Sequence, residues 1–157
     1  DPGSFFEGAG DLLGFPDTWF GGYRQRSDIR VFPTISQWFH REIIPLELVD
    51  NRFYHLDTCL CPLSGGELLY FPPAFDHYGQ EVIAQRFVPS RRLVVPETEA
   101  LRFACNAVSV GKHVVLPAGC PETESLLTSC GYLPHPVPLD EFMKSGGSAK
   151  CLTLALD

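Results

Sequence analysis

Two polar residues near the middle of the chain have the types and spacing needed for acid–base chemistry. His55 and Asp57 stand two positions apart within residues 53–58, ahead of a run of β-favouring residues. Residues i and i+2 of a strand point to the same face of a sheet, which predicts that both side chains project together. A histidine beside a carboxylate suits proton transfer on a cationic substrate. The alternative is a strand with two incidental polar residues, and this pair alone does not exclude it.

A repeat of about 45 to 50 residues places other polar residues at equivalent positions. The successive units open with Phe-Phe-Glu-Gly, Phe-Tyr-His-Leu, Ala-Cys-Asn-Ala and Ala-Lys-Cys-Leu, which makes Glu7, His55, Asn106 and Cys151 equivalent. Equivalent positions of a pseudo-symmetric repeat lie at similar distances from its axis, so these side chains are expected to converge. Polar residues in core strands cost free energy unless they meet each other or a ligand. The repeat therefore favours a functional site, with Asn106 among its substrate contacts.

Each unit reads as strand, turn, strand, polar loop, helix and strand, which predicts an α/β fold of repeated ββαβ units. The units cover approximately residues 5–50, 53–96 and 104–138, with residues 148–157 as a terminal strand. The opening strands are expected over residues 5–13, 53–63 and 105–110. In the first unit the returning strand is expected over residues 18–23 and the helix over residues 34–41, with Thr34 as its N-cap. In the third unit the helix is expected over residues 121–129 and its closing strand over residues 133–137. At 157 residues, the chain is long enough for one domain with a sizeable core.

Cys151 is the candidate nucleophile. It follows the glycine-containing segment 145–148, and such a segment can expose a thiol at the mouth of a strand while a substrate approaches Gly147 closely. A thiolate is a strong nucleophile, and His55 would serve it as acid–base partner. The six cysteines show neither a disulfide framework nor zinc-site spacing, so most are expected to be buried free thiols. No metal or cofactor is predicted.

Acidic side chains and one arginine suit a substrate that is itself an amino acid with a cationic group. Glu7 and Asp57 could hold a planar guanidinium through paired, charge-assisted hydrogen bonds. Asp11 shares the predicted strand face of Glu7 and could act beside it, although a solvated residue near a turn is an equal alternative. Arg26, in the polar loop of the first unit, could bind a carboxylate as a bidentate fork, although most arginines in loops are simply solvated.

Composition excludes several function classes. The net charge of −7 argues against a general nucleic-acid-binding protein, because binding of phosphates needs a basic surface. The sequence contains no apolar run of about 18 residues, which argues against a membrane-spanning helix. Free cysteines favour a reducing, cytoplasmic compartment. The chain begins at Asp1 and its only methionine is Met143, so Asp1 is not expected to be the native translation start.

Four segments, in order, resemble the guanidino-group-modifying, or pentein, superfamily: Phe-Glu-Gly-Ala-Gly-Asp, Gly-Tyr-Arg-Gln-Arg-Ser, His-Leu-Asp-Thr and Gly-Gly-Ser-Ala-Lys-Cys. The superfamily includes arginine deiminase, dimethylarginine dimethylaminohydrolase, agmatine deiminase, arginine dihydrolase and the amidinotransferases. The resemblance implies a five-bladed α/β propeller of ββαβ units, of which about three would be present here as the C-terminal part. It implies that the remaining N-terminal units of the same protein are needed for activity, and that the 157 residues alone are inactive.

The resemblance also implies a reaction. Cys151 would attack the guanidino carbon to form a covalent thiouronium, an amine would leave, and water would hydrolyse the intermediate with help from His55. Glu7 and Asp57 match the catalytic carboxylates, and Arg26 matches the arginine that holds the substrate's α-carboxylate. The predicted function is therefore hydrolysis of a C–N bond in a small guanidino compound such as arginine, without nucleic-acid or membrane partners. A homo-oligomer is possible.

Three other functions use similar residues. An amidinotransferase would pass the amidino group to an amine rather than to water, and these motifs barely separate the two reactions. A non-catalytic interaction domain could keep the propeller scaffold, but it would be expected to lose the central cysteine or histidine. A cysteine peptidase would also need a Cys–His pair, but several carboxylates around that pair suit a cation better than a peptide carbonyl.

Overall fold

Three small sheets of identical topology make up the computed structural model, which describes residues 3–154. In each sheet the first two strands are antiparallel and the third is parallel to the second. The strands are β1 (Leu12–Gly14), β2 (Thr18–Tyr23), β3 (Glu42–Glu47), β4 (Leu60–Pro62), β5 (Leu68–Tyr70), β6 (Arg92–Val94), β7 (Val108–Val110), β8 (His113–Pro117) and β9 (Leu133–Val137). The fold is thus mixed α/β, and each sheet has the ββαβ order that the sequence predicts.

The helices connect the second strand of each sheet to the third or follow the sheet. They are α1 (Phe32–Phe39), α2 (His77–Arg86), α3 (Glu97–Ala100), α4 (Pro121–Ser129) and α5 (Asp140–Met143). The side chain of Asp76 caps α2 by accepting a hydrogen bond from the backbone N–H of Gly79 at 2.8 Å. Helix α4 begins at Pro121, where the missing N–H of proline costs nothing. Among residues 3–154, no helix is long and apolar enough to cross a membrane.

A single apolar core runs through all three sheets. Its largest fully buried side chains include Phe20, Leu46, Leu48, Phe53, Leu56, Leu60, Leu69, Phe75, Ile83 and Leu93. Because the segments that open the units pack into this shared core, the start of each unit is held against the start of the next. A groove of about 610 Å³ runs along the opening segments of the three units and is lined by residues of β1, β4 and β7.

The opening strands begin later than the sequence predicts. Strand β1 is preceded by a 3-10 turn at Gly8–Gly10, and β4 by another at Leu56–Thr58. Gly8 has a positive φ, and the backbone N–H and hydroxyl of Thr58 both donate to the carbonyl of His55, which closes the second turn. The prediction that the polar residues lie on strands is therefore wrong, as is the same-face argument for His55 and Asp57.

The remaining elements differ in how well the sequence predicts them. The predicted bounds of β2, α4 and β9 are confirmed residue for residue. The prediction of Thr34 as an N-cap is wrong, since Val31 holds that position and Thr34 lies within α1. A 3-10 helix at Lys150–Leu152 replaces the start of the predicted terminal strand. The end of that strand, residues 155–157, lies outside the described residues.

Candidate active site

Cys151 lies at a cavity of about 290 Å³ formed where the second unit meets the segment after α5. We call it the Cys151 cavity, and its lining residues are Ala9, Gly10, Tyr54, His55, Asp57, Lys150, Cys151 and Thr153. The turns described above, rather than strands, present His55 and Asp57 to this space: His55 is the extended residue ahead of the turn and Asp57 lies within it. The cavity therefore brings a thiol, an imidazole and a carboxylate together.

The carboxylate of Asp57 lies beside the thiol. The sulfur of Cys151 is 3.7 Å from Oδ2 of Asp57, while Oδ1 of Asp57 is buried without a hydrogen-bond partner. Asp57 is only 4% exposed, and burial raises its pKa to about 6. A buried acceptor without a partner costs free energy, which a bound cation with N–H donors would recover.

The surroundings of Cys151 disfavour the ionised form of its thiol. Burial raises the pKa of Cys151, and the negative charge of Asp57 raises it further. The ammonium of Lys150, which also lines the cavity, favours the ionised form of Asp57 and so lowers the pKa of that carboxyl. A cation placed between thiol and carboxylate would favour both negative charges, so the site is suited to a positively charged ligand.

His55 forms an ion-pair contact with Glu7. Its Nε2 is 2.7 Å from Oε2 of Glu7, and this hydrogen bond is the main reason that the pKa of Glu7 lies below its ordinary value. The histidine ring packs against Gly10, where a Cβ would come within 2.8 Å of Nδ1. Only glycine fits at position 10 without displacing the ring.

Arg26 stands at the edge of this pair. One of its guanidinium nitrogens is 3.5 Å from Oε1 of Glu7, and its guanidinium lies over the ring of Tyr54 at 5.3 Å from the centroid. The side chain is 52% exposed, so it has room to bind a further anion. The hydroxyl of Tyr54 donates to the carbonyl of Gly146, which ties this edge to the loop before Cys151.

Asp11 is a buried acceptor and not a solvated residue. Its Oδ1 accepts the backbone N–H of Leu56 at 2.9 Å, and its Oδ2 accepts the hydroxyl of Ser27 at 2.7 Å. Ser27 in turn accepts the backbone N–H of Glu7 at 3.1 Å. Burial raises the pKa of Asp11. The prediction that Asp11 shares a strand face with Glu7 is wrong; the structure places it behind the site, where it joins the segments of Glu7 and His55.

Asn106 is also buried behind the site, which corrects its assignment as a substrate contact. Its side chain is fully buried and hydrogen-bonds to the backbone of Asp57, Ser148 and Cys151. Gly147 borders the nucleophile instead of open space, because a Cβ on it would come within 2.9 Å of the Cβ of Cys151. Both residues thus lie beside Cys151, but neither lines the Cys151 cavity.

Sequence reasoning missed several residues of the cavity, Tyr54 and Lys150 among them. Both are immediate neighbours of assigned residues, His55 and Cys151, and in a strand they would point to the opposite face. The turns present neighbours on the same side, so only the turn geometry reveals them. Cysteine usage is as expected: all six cysteines are free, and four of them, Cys59, Cys61, Cys105 and Cys120, are buried. Within residues 3–154, no three potential metal ligands cluster.

Several known proteins are similar to this chain in sequence. The chain is 48% identical over 151 residues to the bifunctional arginine dihydrolase/ornithine cyclodeaminase ArgZ of Synechocystis, a match that covers 95% of the chain and 21% of ArgZ. It is 41% identical over 150 residues to the N(G),N(G)-dimethylarginine dimethylaminohydrolase of Mycobacterium tuberculosis, covering 96% of the chain and 49% of that enzyme. The chain thus spans half or less of the length of these relatives.

A solved structure resembles the fold closely. The crystal structure of the N-terminal domain of ArgZ covalently bound to a reaction intermediate matches with a TM-score of 0.93 and 47% identity, over 95% of this chain and 56% of that one. No family model matches the sequence. Sequence and structure together confirm the resemblance read from the motifs: the chain belongs to the guanidino-group-modifying, or pentein, superfamily.

Proposed function

We propose that the protein hydrolyses a C–N bond of a small guanidino compound, arginine or a close derivative, with Cys151 as nucleophile. One observation carries the proposal: the carboxylate of Asp57, which has one buried oxygen without a hydrogen-bond partner, lines the same cavity as the thiol. A guanidinium offers the positive charge and the planar N–H donors that such an oxygen lacks. The pair of His55 and Glu7 supplies the proton transfers.

Each of these residues has a role in one or more steps of the reaction. A guanidinium bound by Asp57 favours the thiolate of Cys151, which forms as the thiol passes its proton to His55, and the sulfur attacks the guanidino carbon to form the C–S bond that leads to a thiouronium intermediate. His55 protonates the leaving nitrogen, the C–N bond breaks and an amine or ammonia departs. His55, then neutral and oriented by Glu7, takes a proton from water, which attacks the same carbon. The C–S bond breaks, and a urea-type product leaves the regenerated thiol.

The relatives support both the substrate class and the covalent step. ArgZ is named an arginine dihydrolase, and its N-terminal domain has been crystallised covalently bound to a reaction intermediate. Arg26 fits the α-carboxylate of an amino-acid substrate, because its guanidinium is half exposed beside the acidic end of the site. Since this chain covers only part of each relative, the activity and substrate of the whole protein are proposed on these grounds.

We propose further that the three ββαβ units belong to a five-bladed propeller completed by other units of the same protein. The groove of about 610 Å³ beside β1, β4 and β7 supports this, because the opening strands of all the units would line such an axis. We also propose unit boundaries near residues 5–50, 53–96 and 104–138. A cytoplasmic location and a homo-oligomer are proposed with them.

The decisive experiment compares two cysteine variants of the protein, expressed with any sequence that flanks residues 1–157. Release of amine or ammonia from arginine and from methylated arginines is measured, and intact mass reports an adduct on the protein. Cys151→Ala should abolish both signals. Cys130→Ala, which removes an exposed thiol outside the Cys151 cavity, should leave both unchanged.

Two results would overturn the proposal. Turnover that survives in Cys151→Ala would exclude the thiol as nucleophile. Turnover that requires an added amine, with transfer of the amidino group to that amine, would assign the site to an amidinotransferase instead.

A further inference from the structure

The side chain of Asn106 joins the two halves of the candidate site. Its amide nitrogen donates to the backbone carbonyl of Asp57 at 3.0 Å. Its amide oxygen accepts the backbone N–H of Ser148 at 2.9 Å and that of Cys151 at 3.3 Å. The backbone carbonyl of Asn106 also accepts the N–H of Lys150 at 3.0 Å. One residue of the third unit therefore fixes the backbone of the carboxylate and the backbone of the nucleophile.

We propose that Asn106 is a positioning residue that sets the separation between the thiol of Cys151 and the carboxylate of Asp57. It does so without contacting the substrate, since its side chain is fully buried behind the cavity. The expected effect on turnover rests on the proposed function. The hydrogen bonds from Asn106 to the backbones of Asp57 and Cys151 are present without any substrate.

The contacts of Asn106 require a side chain that carries both a hydrogen-bond donor and an acceptor. The site needs one donor for a carbonyl and one acceptor for two N–H groups, within a fully buried space. A leucine of similar size offers neither. An aspartate keeps the acceptor, but in its ionised form it faces the carbonyl of Asp57 with a second acceptor. When protonated, the aspartic acid regains a donor and matches the amide.

The coupling has a consequence for the thiol. Burial raises the pKa of Cys151 most, the carboxylate of Asp57 raises it next, and a smaller hydrogen-bonding effect of Asn106 lowers it, so the position in which the loop holds the sulfur disfavours the thiolate on balance. Cys151 is already an exposed residue, so the main effect of releasing the loop is that the sulfur moves away from the carboxylate of Asp57, which disfavours the thiolate. Cys151 should then be more reactive towards a small alkylating agent and less able to turn over substrate.

The test uses Asn106→Asp and Asn106→Leu, with Thr123→Val as matched control. Thr123 is a fully buried polar residue of the same unit, and its hydroxyl donates to Glu99 away from the cavity. Iodoacetamide is applied to each variant over pH 6–10, and peptide mapping gives the alkylation rate of every cysteine. Steady-state kinetics on arginine and thermal unfolding are measured on the same preparations.

We expect Asn106→Leu to alkylate Cys151 at least threefold faster than the parent at pH 8, with kcat lowered at least tenfold. Buried Cys59 and Cys105 should stay unmodified, which separates loop release from global unfolding. At pH 8, Asn106→Asp should show the same faster alkylation of Cys151 and lower kcat. Both quantities should return towards the parent values as the pH falls. Thr123→Val should change the melting temperature but neither the Cys151 rate nor kcat.

Three outcomes would overturn the inference. The Cys151 rate and kcat of Asn106→Leu could stay within twofold of the parent. Thr123→Val could change the alkylation rate of Cys151 and kcat as much as Asn106→Leu does. All buried cysteines could react together, which would make Asn106 a stabilising residue only. A parent protein without turnover would refute the proposed function instead, while the alkylation rates would still decide the coupling.

Discussion

Replacing Asp57 with asparagine should stabilise the folded protein while it abolishes turnover. The carboxylate is 4% exposed, and burial raises its pKa from an ordinary 3.8 to about 6. An acid whose pKa is higher in the folded state binds its proton more tightly there, so its ionisation destabilises the fold. A rise from 3.8 to about 6 corresponds to about 3 kcal/mol, at about 1.4 kcal/mol for each tenfold change. Asparagine keeps the shape and carries no charge.

The stabilisation by Asp57→Asn should depend on pH in a characteristic way. The gain of Asp57→Asn should be absent below about pH 4, where the carboxyl is neutral in both states. It should grow through the window between 4 and 6 and level off above it. Urea unfolding of parent and variant at several pH values measures the difference directly. At neutral pH the gain should also raise the melting temperature by roughly 6 to 12 °C.

Asp50→Asn is the matched control, with the opposite sign. The pKa of Asp50 is lowered by its hydrogen bonds to Arg52, so its ionised form stabilises the fold above its ordinary pKa and this contribution is lost as the pH falls. Asp50→Asn should therefore destabilise the protein at neutral pH. A variant at position 57 that is less stable than the parent at pH 7, or a gain that does not vary with pH, would refute the reasoning.

Three further predictions concern the site and its support. Tyr54→Phe removes the hydroxyl that holds the carbonyl of Gly146, so kcat should fall about tenfold, as expected for one hydrogen bond, with KM nearly unchanged in steady-state assays. In the free enzyme, kcat/KM should fall as the pH drops through about 6, because protonated Asp57 no longer attracts a cation; a pH–rate profile with an acid limb near 4 instead would argue against that carboxyl. Glu99→Gln weakens the charged cap on the N-terminus of α4 and should cost about 1–2 kcal/mol in urea unfolding, while turnover per folded molecule stays constant.

The repeat in the sequence identifies residues that the structure also places close to one another. It points to Glu7, His55 and Cys151, because the spacing of a repeat can be recognised even where the local secondary structure is predicted wrongly. The structure brings His55 and Cys151 to one cavity and joins Glu7 to His55, although none of the three lies on a strand. Helix α4 and strands β2 and β9 could be predicted to the residue because proline, glycine and β-favouring runs mark their ends.

The errors have a common physical cause. A strand and a 3-10 turn can share a sequence when the deciding hydrogen bonds come from elsewhere in the chain. At residues 56–58 the turn is held by Thr58 and by the buried carboxylate of Asp11, which accepts the N–H of Leu56 from another unit. Asn106 was misread for the same reason: its partners are backbone groups of distant segments, which no local pattern displays.

The division of the site among units has a consequence for how the protein is made. The contact of His55 with Glu7 joins residues 48 apart, and that of Cys151 with Asp57 joins residues 94 apart. Chains are synthesised from the N-terminus, and contacts distant in sequence form slowly. The acid–base pair can therefore assemble on the ribosome before the nucleophile is translated. In a growing chain, Cys59 and Cys61 can therefore be buried in a forming core before Cys151 is translated.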